Sequence, residues 1–305
     1  MVSEWLNQAS NRTYIIDIRN ALSRSETSVM VFLGAGLSFG AARQRGRYDL
    51  DKWGYSYDDF PFPSWDGLIR RMLEHLKALP EFSGREEELD EFFDQQDALD
   101  CAELFRHSVG KANFTQFLRK QFTTANPELT PSHEALAVLP VAELFTTNYD
   151  ELIELAFKGR DLTVSIKPDQ FIARLPNKPK HHLIKLHGSI SQPDTIVLTR
   201  SQYADSRRTR VEMFDHLRGR LRETPFIFVG YSLTDPNFTV IHDEARLAMG
   251  PNMPPSYLVQ GRGNRVRESY LRSLDVNVIS LGTWNLLPAF LNAINPNIPF
   301  PLGLV

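Results

Sequence analysis

Four short polar runs carry side chains with usable chemistry, and each directly follows an apolar run. They are Gly34-Ala35-Gly36-Leu37-Ser38, Thr146-Thr147-Asn148-Tyr149-Asp150, Lys185-Leu186-His187-Gly188-Ser189 and Gly230-Tyr231-Ser232-Leu233-Thr234-Asp235-Pro236-Asn237. A Gly-x-Gly turn between a strand and a helix start points several backbone N–H groups one way, which suits a phosphate or pyrophosphate. The third glycine of a dinucleotide fingerprint is missing, because Phe39 stands there. Asn148 offers an amide for a sugar hydroxyl or a water, and Asp150 a carboxylate that accepts from a carboxamide NH2. His187 titrates near neutrality and can take a proton from a hydroxyl or water. Gly230 lets a ligand approach the backbone, and Ser232 offers a hydroxyl to a phosphate or ribose oxygen. Each residue also has an ordinary reading. Asn148 and Asp150 can cap a helix over 149–157, His187 can be a core histidine bonded to backbone, and Asp235 and Asn237 read as caps of the helix that follows.

The elements that must position these groups follow from periodicity. Apolar runs at 29–33, 142–146, 162–166, 182–186, 195–198, 226–229, 257–259 and 276–279 read as strands. Helical patterns cover 13–22, 149–157, 211–221, 238–249, 266–274 and 286–294. Alternating strands and helices predict one α/β domain over 1–305, a Rossmann-like, mainly parallel sheet with helices on both faces. A helical block, capped by Ser64 and reaching to about residue 130, reads as a module inserted in that domain. All four polar runs then fall at carboxyl ends of strands, where open α/β sheets bind ligands. The irregular stretch 43–63, with Trp53-Gly54 and Phe60-Pro61-Phe62-Pro63, reads as a lid beside the glycine turn or as a surface excursion.

Composition narrows the function classes. The chain has 305 residues, 42% hydrophobic and 23% charged, as a protein with a real core requires. A net charge of −3 argues against a general nucleic-acid binder. Arg207, Arg208, Arg210, Arg218, Arg220 and Arg222 read as the solvated face of a helix, and acidic 86–94 as another; both are alternative contact faces. His133, at a helix start, reads as a capping or surface residue. The single cysteine, Cys101, reads as a buried thiol and excludes both an internal disulfide and a multi-cysteine zinc site. With no secretory signal and no apolar run near the ~18 residues of a membrane span, the expected location is cytoplasmic.

Taken in order, Gly34-Ala35-Gly36-x-Ser38, Thr146-x-Asn148-x-Asp150, His187-Gly188 and Gly230-x-Ser232 resemble the motifs of sirtuins. The forms TTNYD, KLHGS and VGYSLTDPN are similar to those of divergent bacterial sirtuin-like proteins, NAD-consuming effectors of anti-phage defence. The resemblance spans about residues 25–285. It implies NAD+ as substrate, laid across the carboxyl edge of the sheet. The pyrophosphate would rest on Gly34, Ala35, Gly36 and Ser38, with Gly188 also binding and Gly230 and Ser232 on the adenosine side. Asp150 would hold the nicotinamide carboxamide, Asn148 the ribose or a water, and His187 would act as base. The departures are the missing four-cysteine zinc module, Thr147 where sirtuins usually carry Gln, and no Pro-Asp-Phe-Arg element after Ser38. They favour metal-free hydrolysis of NAD+ to nicotinamide and ADP-ribose over NAD-dependent deacylation. A non-catalytic module sensing NAD or ADP-ribose is the alternative. Control is expected from homo-oligomer assembly or from a separate regulatory protein, such as an Argonaute-like protein or a translocase-type ATPase.

Overall fold

The computed structural model of the chain describes residue 5 and residues 8–38, 62–123, 127–173 and 179–300. Residues 39–61, which hold most of the expected lid and the small residues after Ser38, lie outside the described set. Seven strands are formed: β1 Met30–Leu33, β2 Glu143–Thr146, β3 Leu162–Ser165, β4 His181–Lys185, β5 Phe226–Val229, β6 Ser256–Gln260 and β7 Val276–Ser280. They make one sheet of order β3-β4-β2-β1-β5-β6-β7, and every pairing is parallel. Five of the strands are buried along their whole length, as in a parallel sheet covered on both faces. The chain leaves β1 toward β2 and, after β4, crosses to β5 on the other side of β1. That reversal opens a crevice above the carboxyl ends of β1, β2 and β5.

The helices, in chain order, are α1 Ala9–Arg24, α2 Trp65–Lys77, α3 Glu86–Gln95, α4 Ala98–Phe122, α5 Pro131–Ala137 and α6 Leu152–Ala156. They continue as α7 Pro168–Ala173, α8 Arg200–Thr209, α9 Val211–Glu223, α10 Pro236–Met249, α11 Arg265–Ser273 and α12 Leu287–Ile294. Strand alternation sorts them into two layers. Val31 and Leu33 face a core built with α1, α5, α6 and α12. Met30 and Phe32 face the opposite core, where Leu217 of α9, Ile241 of α10 and Leu271 of α11 pack. A third core, centred on Phe105, is formed by α2, α3 and α4 and closes onto the sheet through Tyr149, Leu152 and Ile196. Ser64 caps α2 by accepting from the Gly67 N–H, and Asp97 caps α4 in the same way. Gly110, at φ 73, breaks α4 into two straight pieces.

Three sequence expectations differ from the structure. Segment 195–198 pairs with no strand: Pro193–Thr195 is a 3-10 turn, and the rest runs as an extended strap between the sheet and the third core. The arginine-rich helix is two helices, α8 and α9, broken at Arg210 (φ −129, ψ 31). α7 carried too weak a period to read, since only Phe171 of it is buried. Among the described residues no helix is long and apolar enough to cross a membrane, and no cluster of His, Cys, Asp or Glu could hold a metal ion. Cys101 is a buried free thiol, as expected.

Candidate active site

The crevice is built first by close backbone approach. The loop after β1 and the loop after β5 touch: the Gly36 N–H donates to the Gly230 carbonyl at 2.9 Å and the Gly34 N–H to the Val229 carbonyl at 3.0 Å. A Cβ on Gly34 would stand 2.4 Å from the Gly230 oxygen, and one on Gly230 (φ 64) 2.4 Å from the Leu37 nitrogen. These glycines therefore let two strand ends meet. The expectation of several free N–H groups in this turn is corrected. Those of Gly34, Gly36, Leu37 and Ser38 are all bonded within the protein. Of the turn's donors only the Ala35 N–H has no partner among the described residues, so any anion here meets a nearly saturated turn.

The second layer of the crevice is a side-chain network from the end of β2. Thr146 Oγ1 donates to the Leu33 carbonyl (3.0 Å) and accepts from the Asn148 N–H (3.0 Å), which fixes the backbone at the strand end. Asn148 Nδ2 donates to the Gly34 carbonyl (3.1 Å) and to Ser38 Oγ (3.2 Å). Ser38 Oγ in turn donates to Asp150 Oδ2 at 2.9 Å. Asp150 Oδ1 accepts from the Leu152 N–H, so it also caps the start of α6, while Asn148 caps nothing. Beneath them Lys185, wholly buried, donates to the Asp150 carbonyl (2.6 Å) and to Glu154 Oε1 (2.7 Å). With both its N–H bonds used, Asn148 is oriented with its carbonyl oxygen left as the group for a ligand or water.

The third layer holds the titratable group. His187, 2% exposed, follows β4 and has no hydrogen-bond partner at Nε2 among the described residues. Its Nδ1 lies 3.3 Å from Tyr203 Oη on α8, and the two rings meet edge-on at 4.9 Å. Tyr203 Oη donates to Asp235 Oδ2 at 2.7 Å. Asp235 Oδ2 is 3.5 Å from His187 Nε2, close enough for charge to act but outside hydrogen-bond geometry. Burial lowers the His187 pKa, only partly opposed by the Asp235 carboxylate, and Arg210 pushes the same way as burial. The imidazole is thus neutral at pH 7 and competent to accept a proton.

These layers line one cavity of about 600 Å³, inside the ~300–1,000 Å³ range of small-molecule sites. Ala35, Gly36, Ser38, Asn148, Asp150 and His187 line it, and so do Gly230 and Ser232. Phe62, Trp65 and Phe122 close it from the helical side. Gly34 and Gly188 are not on its wall. Gly188 (φ 85) is the turn residue behind His187, and a Cβ there would stand 2.2 Å from the Thr195 oxygen. Ser232 sits on the exposed rim, hydrogen-bonded to Thr234 (2.6 Å).

Several groups escaped the sequence reading. Asp235 is a helix cap through Oδ1, as read, yet its Oδ2 accepts from Tyr203 Oη and lies 3.5 Å from His187 Nε2. Asn237 is no cap: it accepts from Arg207 Nε (2.7 Å) and donates to Ser206 Oγ (3.0 Å), stitching α10 to α8. Tyr203 carries no sequence signal at all. Arg210 is buried rather than solvated. Its guanidinium donates to the carbonyls of Leu186 (2.7 Å) and Thr195, bracketing the His187 turn, and burial pushes its pKa down to about 10. His133 is buried and forms a capping box with Thr130.

Comparison with known proteins places this site in context. Residues 142–279 match the SIR2-like domain family. The chain is 28% identical over 250 residues to the NAD(+) hydrolase ThsA of Cytobacillus dafuensis, which covers 81% of this chain and 44% of that protein. It is 25% identical over 256 residues to ThsA of Acinetobacter baumannii, covering 83% of the chain and 46% of the relative. Defense-associated sirtuin 2 of Bacillus subtilis is 22% identical over 185 residues, 59% of the chain and 17% of the relative. The chain therefore spans less than half the length of these curated relatives.

Proposed function

We propose that this chain, whose residues 142–279 match the SIR2-like domain family, hydrolyses NAD+ to nicotinamide and ADP-ribose as an effector of anti-phage defence. The observation that carries the reading is a neutral, buried imidazole with a bare Nε2, set in the same cavity as an oriented Asn148 and the Asp150 carboxylate. Two relatives that align with over four-fifths of the chain bear the name NAD(+) hydrolase.

In the reaction, the C1′–N bond to the pyridinium breaks and its electron pair stays on nitrogen. Nicotinamide then leaves as a neutral base, so no metal is needed to stabilise it. The ribose passes through an oxocarbenium-like state, as in sugar hydrolysis. The Asn148 carbonyl oxygen orients the water, or the ribose hydroxyl, that sits by C1′. His187 Nε2 takes its proton as the new C1′–O bond forms. Asp150 accepts from the carboxamide NH2 and fixes the nicotinamide end, while Ser38 holds Asp150 in place. The adenosine half runs toward Gly230 and Ser232 on the β5 side. Unchecked turnover empties the host of NAD+, so we further propose that self-assembly or a separate protein restrains the site.

The test is product analysis with purified protein. Wild type should release nicotinamide and ADP-ribose in equal amounts, and Asn148→Ala and His187→Ala should release neither while keeping the wild-type circular dichroism. Binding of NAD+ without nicotinamide release would move the reading to a sensing module. Turnover by the folded double variant would remove the site assignment.

A further inference from the structure

The cap residue of α10 faces the histidine from across the crevice, and the proposed function uses neither it nor the tyrosine between them. We infer that Tyr203 and Asp235 are positioning residues for His187: they hold its proton on Nδ1, leave Nε2 bare, and stabilise the imidazolium once Nε2 has taken a proton. This inference rests on the reading of His187 as base.

The hydrogen-bond directions carry it. Tyr203 Oη has one proton, and the 2.7 Å bond to Asp235 Oδ2 uses it, since a carboxylate can only accept. The lone pairs of Oη then face His187 Nδ1 at 3.3 Å, so Nδ1 must be the donor. The neutral ring has one N–H, and Nε2 is thereby an acceptor with no partner among the described residues. When Nε2 gains a proton, the Asp235 carboxylate 3.5 Å away stabilises the new charge. The arrangement is held from both sides. Asp235 Oδ1 accepts from the Phe238 N–H at 3.0 Å, and Ser206, Arg207 and Asn237 tie α8 to α10 just behind it. The charged and titratable groups about the ring are Asp235 from α10, Tyr203 from α8 and Arg210 from the α8–α9 junction. Tyr149 and Tyr231, both buried, also lie within reach of the Asp235 charge. Asp235 is the group among them that favours a protonated imidazole.

Asp235→Asn separates the two duties of the residue, because asparagine caps a helix as well as aspartate does but carries no charge. The expected result is an unchanged thermal midpoint and KM. kcat should fall roughly tenfold or more, part of the ~10²–10⁴ a general base contributes, and the acid limb of the pH profile should move to lower pH. Tyr203→Phe keeps the ring packing and should lower kcat without moving KM. A second arm needs no turnover: ¹⁵N-histidine NMR of the free protein, with His187→Gln to assign the signal. It should show Nδ1 protonated and Nε2 bare in wild type, and a mixture of tautomers in Tyr203→Phe. A wild-type His187 protonated at Nε2, or an Asp235→Asn variant with wild-type kcat and pH profile, overturns the inference. Should wild type release no nicotinamide, the function fails and the NMR arm still decides the tautomer.

Discussion

The two sides of the crevice are built on opposite principles. On the Gly34–Ser38 and Thr146–Asp150 side, most donors and acceptors are satisfied within the protein, the Ala35 N–H and the Asn148 side-chain oxygen being left over among the described residues, and two backbones touch with no room for a methyl group. On the His187 side, a buried ring nitrogen and the buried Tyr231 hydroxyl have no partner among the described residues, and a carboxylate stands 3.5 Å from that nitrogen. A saturated network is rigid and stabilising, whereas a buried unsatisfied group costs about 1–3 kcal/mol. The difference separates a mostly satisfied side, which holds Asn148 and Asp150 in fixed orientations, from a side that keeps an unpaired titratable ring.

Gly230→Ala strikes the scaffold hardest. A side chain at φ 64 that also collides with the Leu37 nitrogen should destabilise by about 2–5 kcal/mol, measured as the midpoint of denaturant unfolding. A sharper contrast comes from the two residues that both should abolish nicotinamide release. Asn148→Ala removes two hydrogen bonds, to the Gly34 carbonyl and to Ser38 Oγ, each of which keeps another partner, and should lose about 1–3 kcal/mol of stability. His187→Gln should change stability by no more than about 1 kcal/mol, because the bond it gives up is a long one. Equal stability losses in the two variants would erase the distinction between the sides. Ser38→Ala removes the hydroxyl between Asn148 and Asp150 and should cost about 1 kcal/mol, with its larger effect on KM. The gentlest probe is pH. Since burial depresses the His187 pKa, the acid limb of kcat/KM should lie below the 6.5 of a free imidazole. The unfolded chain then binds the proton first, so the stability tied to this group is full above about pH 6.5 and falls as pH drops below it.

The distance from Asp235 to the histidine marks how far the sequence could be read. Asp235 was legible as a cap because Pro236 and the apolar period follow it, a local signal. Its second oxygen serves a residue on another element, and a cap motif says nothing about that. Arg210 misled for a related reason. A run of arginines looks solvated, and only the break between α8 and α9 turns one of them inward onto the carbonyls of the His187 turn. The strap at 195–198 is apolar enough for a strand, but its Ile196 and Leu198 are buried in the third core instead of joining the sheet.

By itself the sequence determined the parallel α/β plan with each of its seven strands, though with one apolar run too many, the placing of four polar runs at strand ends, and the exclusion of a four-cysteine zinc module, because period, glycine spacing and residue counts are local quantities. Tertiary structure alone decided that most N–H groups of the glycine turn are bonded within the protein, Gly36 to Gly230 among them, that Gly188 stands off the cavity wall, and that Tyr203 and Asp235 face His187. Those facts depend on contacts between residues far apart in the chain, where the packing of whole elements, and no pattern along the sequence, sets a distance.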